Sequence, residues 1–221
     1  MRMRLMPLVG VALVLSLPGP SFAQDWVEFS NLEDRVTATF PGDPVVTEIS
    51  WVSEFGAVLP GREYSVTQGK SRYALTVIDY NPIERLAVER AKSCEQGAET
   101  CMGIPDWGIG YWKNDIRGAL TYATRKYLER PGKMTSYVWN GMNLVTGQML
   151  QFTNPDESRT FVSIYMHENR LVIVDGTTPK GYPPPLAFTQ SLSWLDENGK
   201  AIRYPTMYVN YPDIPRPGRR P

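Results

Sequence analysis

Residues 160–176 read TFVSIYMHENRLVIVDG, two apolar-rich runs joined by a minimal polar turn. Runs of this length, rich in β-branched and aromatic residues and separated by two polar ones, form a β-hairpin. With Glu168 and Asn169 as the loop, His167 pairs with Arg170, Met166 with Leu171, Tyr165 with Val172 and Ile164 with Ile173. Strand side chains alternate between faces, so this register places Val162, Ile164, Met166, Leu171 and Ile173 on one surface. Phe161, Tyr165, Val172 and Val174 fall on the other. Both faces require cover, and a hairpin of this kind belongs in the middle of a sheet packed between layers.

Upstream, residues 26–29 and 35–40 are short alternating runs, the second ended by Pro41-Gly42-Asp43-Pro44. Residues 45–54, 62–68 and 73–80 are rich in β-branched and aromatic side chains and read as an antiparallel meander. At Asn81-Pro82-Ile83-Glu84 the period changes: Asn81 suits a cap, Pro82 the first helical position, and Glu84 a capping-box spacing. Ile83, Leu86, Ala87, Ala91 and Cys94 then form one helical stripe up to Gly97. A second helix is predicted from Asn114 or Asp115 to about Glu129, with Ile116, Ala119, Leu120, Ala123 and Tyr127 inward and Pro131-Gly132 as its stop. Strands return over 135–139 and 144–153, the latter weakened by Gly147, which signals a bulge or a close approach. A third helix is predicted over 185–195 from the spacing of Leu186, Thr189, Leu192 and Leu195. Strands and helices are thus segregated, which predicts an α+β fold: an antiparallel β-sheet packed with helices as an α/β/α sandwich.

The ends carry different information. Residues 1–23 hold Arg2 and Arg4, an apolar run from Leu5 to Leu17, and the small-residue site Ser21-Phe22-Ala23, the features of a signal peptide cleaved after Ala23. No later segment approaches the roughly 20 apolar residues of a spanning helix, so the mature chain is expected to be soluble, in the periplasm or secreted. The whole chain has 23 basic and 23 acidic residues; without the leader and its two arginines the net charge is −2. That balance offers no field for nucleic acid. A single domain over 24–204 and a Pro-rich extended tail over 205–221 complete the expected organisation.

Several landmarks together resemble the PsbP-like α/β/α sandwich proteins, most closely exported bacterial members of that group. They are Phe40-Pro41-Gly42-Asp43-Pro44, the strand end Ile78-Asp79-Tyr80, the helical Asp115-Ile116-Arg117-Gly118-Ala119, and Asn169-Arg170-Leu171 in the hairpin. The best known relatives are extrinsic photosystem II subunits and assembly factors, which are not catalysts. The resemblance therefore implies a binding or assembly module, and it transfers no site residue.

Cys94 and Cys101 are the only cysteines, and in an exported chain they are expected to form a disulfide closing a small loop. Six intervening residues do not suit a catalytic dithiol. His167, the only histidine, lies beside the hairpin turn and is expected outside the core as a solvated or hydrogen-bonding residue. It has no second histidine and no HExxH spacing to build a metal site, and no GxSxG, GxGxxG or P-loop occurs. Trp107, Tyr111 and Trp112, in the glycine-punctuated DWGIGYW, are a candidate binding surface; their alternative role is to seal the edge of the helix layer. The preferred function is an exported, soluble, non-enzymatic binding or assembly protein of the cell envelope. Its partner is an envelope protein or a small ligand, and no cofactor is called for. The alternative is a small periplasmic hydrolase with a carboxylate or Ser/His site.

Overall fold

The computed structural model describes residues 26–98, 101, 103, 104, 108, 109 and 111–210. Its central feature is a seven-stranded antiparallel sheet. In spatial order it runs β3 (Val45–Val52), β4 (Val58–Gln68), β5 (Ser71–Asp79), β11 (Arg170–Thr178), β10 (Arg159–His167), β9 (Val145–Thr153) and β8 (Lys133–Met142). The hairpin β10–β11 is central, and its register runs from His167 opposite Arg170 to Ile164 opposite Ile173, as the sequence predicts. Glu168 and Asn169 both take positive φ, 47° and 57°, which gives the tight two-residue turn whose twist matches the flanking strands.

Two cores lie on opposite faces of this sheet. On one, α1 (Ile83–Ala91) and α2 (Trp112–Leu128) place Ile83, Ala87, Ile116, Ala119, Ala123 and Tyr127 against Leu150, Val162, Ile164, Leu171 and Ile173. On the other, a three-stranded sheet of β1 (Val27–Asn31), β2 (Val36–Phe40) and β12 (Ser193–Trp194), with the single turn α3 (Leu186–Thr189), covers Tyr165, Val172 and Val174. The fold is α+β, and its second cover is mostly sheet. Two-residue strands β6 (Gly103–Ile104) and β7 (Gly108–Ile109) pair with each other near the start of α2.

Local departures from the sequence reading have identifiable causes. The capping box at Asn81 does not form: its side chain donates instead to Asp79 Oδ1 at 2.6 Å, and Pro82 takes the cap position. Helix α1 stops at Ala91 because the amides of Lys92, Ser93 and Cys94 bond three residues back, tightening the last turn. The helix predicted over 185–195 is only one turn, after which Trp194 pairs with Val36 in β12. Leu186, which the helical stripe places inward, is half exposed. Burial of the Trp194 indole against β2 outweighs a marginal helical period that starts in a run of three prolines.

Gly147 is a close approach, for a Cβ there would collide with the ring of Tyr165 and the carbonyl of Ile164 on the neighbouring strand. Residues 201–210, beyond β12, run back over the hairpin turn. Tyr208 exchanges backbone bonds with Leu144 and Thr146, and the Asn210 side chain accepts from the Asn169 amide at 3.0 Å. Residues 1–25 and 211–221, with the expected leader and most of the expected tail, lie outside the described residues.

His167 corrects an expectation: it is 1% exposed. Its ring stacks on Trp194, centroids 4.6 Å apart, and its Nε2 lies 2.7 Å from the Tyr204 hydroxyl. A residue beside a hairpin turn is normally solvated; here β12 and the segment after it fold over the turn.

Candidate functional site

β8 is an edge strand. Among the described residues no strand pairs with its outer side, so alternate backbone N–H and C=O groups point away from β9. Edge strands are usually blunted by charge or proline, yet KMTSYVWNGM carries one charge, Lys133, at its start and no proline. A register shift between Met134 and Ser136 marks a bulge, and the remainder pairs regularly with β9 from Ser136–Gln151 to Met142–Val145.

The pleat directs Tyr137 and Trp139 toward the helical side, since they stand opposite Leu150 and Gln148. Helix α2 does not extend over them. Tyr137 is 48% and Trp139 66% exposed, whereas Leu150 beneath is fully buried. The six-membered ring of Trp139 lies over Gly141, where a Cβ would stand 3.1 Å from the indole, so the missing side chain lets the ring lie along the strand with its outer face open. Leu120, Thr146 and Gln148 complete a shallow cleft of about 340 Å³ beside these rings. Gln148 is fixed there, its Oε1 accepting from Thr124 Oγ1 at 2.5 Å. A rigid sheet thus presents two aromatic faces next to an unpaired backbone edge, the elements with which an extended chain is held by strand addition.

Of the residues singled out by sequence, Trp107 lies outside the described residues. Tyr111, in the left-handed conformation just before α2, stacks on Phe55 with centroids 5.2 Å apart. Trp112 packs against the helix-side core and has Lys113 Nζ 5.5 Å from its ring centroid. Cys94 and Cys101 stand at disulfide distance, Cα atoms 5.9 Å apart, at the end of α1. Tyr137 and Trp139 lie in a run read as a strand, but the alternation that signals a strand does not say which strand has no outer neighbour.

The groups that a hydrolytic site would use are dispersed. Ser163 and His167 share one face of β10 but lie four residues apart, with Tyr165 between them. Ser163 is engaged by Asn140, and His167 by Tyr204. The three buried aspartates among the described residues are separately committed. Asp34 accepts from Arg62 and Tyr64, tying the β1–β2 turn to β4, with Arg62 Nη2 at 2.8 Å. Asp115 accepts from Ser53 Oγ at 2.7 Å and the Phe55 amide at 3.0 Å. Asp175 accepts from the Tyr127 hydroxyl at 2.9 Å, with Arg130 at 3.5 Å. Among the described residues no group of three or more His, Cys, Asp or Glu is placed to hold a metal ion.

Burial pushes the Asp175 carboxyl up, opposed by donation from Tyr127 and the charge of Arg130. A carboxyl raised on folding stabilises most when protonated. Its contribution is fully present below the unfolded value of about 3.9 and is lost as pH rises through the raised folded value. Asp175→Asn, which cannot ionise, should therefore gain stability relative to the wild type between about pH 4 and pH 7. Urea unfolding across that range reads the difference, and parallel curves for the two proteins would contradict a raised carboxyl.

No protein-family model and no curated protein matches the chain. Among solved structures the chain is similar to the solution structure of cyanobacterial PsbP (CyanoP) from Synechocystis sp. PCC 6803. The identity is 8%, with 81% of this chain and 98% of that chain covered and a TM-score of 0.44.

Proposed function

We propose that the protein is an exported, non-enzymatic binding or assembly module of the cell envelope, and that it holds an extended segment of a partner protein along β8. The observation that carries this reading is the unpaired edge of β8 with Trp139 and Tyr137 exposed on it. Main-chain pairing would supply affinity, and the two rings would select the side chains of the added strand. Binding energy concentrates in a few large aromatic side chains on rigid scaffolds, so these two residues are the expected anchors. Export is supported by the charged and apolar leader ending at Ala23 and by the bridgeable cysteine pair. Among the described residues no helix is long and apolar enough to cross a membrane.

Crosslinking in intact envelopes followed by affinity capture tests the assignment. Trp139→Ala combined with Tyr137→Ala should lower partner recovery at least about tenfold while leaving unfolding within about 0.5 kcal/mol of the wild type, since both side chains are substantially exposed. Undiminished recovery would exclude β8. Loss on Trp107→Ala instead would move the surface to the glycine-punctuated sequence of residues 106–112.

The export reading has its own measurement. The intact mass of the protein recovered from outside the cytoplasm should correspond to a chain beginning at Gln24 and lacking the two thiol hydrogens of Cys94 and Cys101. Reduction should then lower stability by about 2 to 3 kcal/mol, the loop-closure contribution of an eight-residue ring. A mass retaining residues 1–23, or two free thiols, would contradict the reading.

A further inference from the structure

The opposite face of β8 and β9, together with β10, carries a second, larger cleft, of about 620 Å³, within the size range of small-molecule sites. It lies where α3 stops over β10 and β11, and among the described residues no element covers the sheet between α3 and the β8 edge. The floor has an ordered chemical gradient. Arg159, Phe161 and Ser163 follow one another on one face of β10, and Gln151 and Met149 stand beside Phe161 and Ser163 on β9.

At one end Arg159 is, among the described residues, the only charged side chain lining the cleft. Its guanidinium donates to the Tyr182 carbonyl and lies 5.5 Å from the Phe161 ring centroid, and it forms no ion pair among the described residues. The carboxylate two positions earlier, Glu157, is taken by Lys180 at 2.5 Å. At the other end the groups are neutral. Asn140 Nδ2 donates to the Tyr165 hydroxyl at 2.7 Å and to Ser163 Oγ at 3.3 Å. Its orientation is fixed by the Gly141 amide, which donates to Oδ1 at 2.9 Å. Burial pushes the Tyr165 phenol up to about 12, so this end stays uncharged at neutral pH. Between the ends lies Phe161, with Gln151 beside it, and the adaptable Met149 follows beside Ser163. From Arg159 to Ser163 the strand advances about 13 Å, four residues at about 3.3 Å each.

We propose that this cleft binds a compact amphipathic carboxylate, its acid group on Arg159 and its apolar chain along Phe161 and Met149 toward the neutral Asn140 end. The guanidinium, weakly hydrated and forked, is the side chain best suited to a carboxylate at a partly desolvated site. The site is on the other face of the sheet from Tyr137 and Trp139, and its occupancy does not depend on a partner at β8.

Octanoate is the probe, with octanamide as its uncharged counterpart and acetate as the acid without a chain. Titrated into the mature protein and followed by amide chemical shifts, octanoate should perturb Phe161 and Ser163 at concentrations at least about tenfold below octanamide, a discrimination of about 1.4 kcal/mol. Acetate should not reach half-saturation in the same range. Arg159→Gln should abolish the preference for octanoate over octanamide. Equal binding of the two in the wild-type protein, shifts mapping elsewhere, or no binding of octanoate would each overturn the proposal without need of the variant. A preference surviving Arg159→Gln would do so as well.

Discussion

Trp194→Ala is expected to lower stability by about 3 to 5 kcal/mol, in the range of buried aromatic truncations. The indole has no exposed surface, and three sets of contacts meet on it. Its Nε1 donates to the Met142 carbonyl at 2.8 Å, joining β12 to the end of β8. One ring neighbour is Tyr165, edge-on at 5.6 Å; the other is His167, stacked at 4.6 Å. Truncation therefore opens a cavity in the sheet-side core, removes a donor from a carbonyl and takes away the surface on which His167 lies. His167→Ala should follow in the same direction, by about 2 to 4 kcal/mol, because it removes a buried ring and leaves the Tyr204 hydroxyl without that contact. Equilibrium urea unfolding decides both. A loss below about 1 kcal/mol for Trp194→Ala would mean that β12 and the segment after it are not part of the cooperative unit.

On the opposite face, Ile164→Ala should cost about 2 to 5 kcal/mol. Ile164 has no exposed surface and packs in the helix-side core with Leu150, Ile173 and the inner stripe of α2. The sheet separates this core from the one around Trp194, so the two substitutions share no cavity and few neighbours. Their combined effect should be additive within about 0.5 kcal/mol, provided the double variant still folds. A coupling larger than about 1 kcal/mol would show that the layers yield together, and a cost at Ile164 near zero would mean a hairpin register displaced by one residue.

The central hairpin was legible because its information is local. Two polar residues between two β-branched and aromatic runs specify a tight turn, the turn specifies the register, and the register sorts Ile164 and Ile173 from Tyr165 and Val172. The inner stripe of α2 and the close approach at Gly147 were legible for the same reason, since helical period and a missing side chain are properties of a few neighbouring residues. Helix termini were less so. Asn81 can bond either its own helix or Asp79, and the choice belongs to the strand end that places Asp79 nearby.

What the sequence by itself determined is therefore the α+β class, the pairing at the centre of the sheet and the identity of its two apolar faces. The tertiary structure decided which strands have no outer neighbour, and with it the exposure of Trp139 and Tyr137. It also decided that Trp194 joins a second sheet in place of extending a helix, that residues 201–210 bury His167, and that Arg159 stands over Phe161 in a cleft. Each of these depends on contacts between segments distant in the chain. Alternation and helical period record only whether a residue faces a packed layer, and carry no record of which segment provides that layer or where it stops.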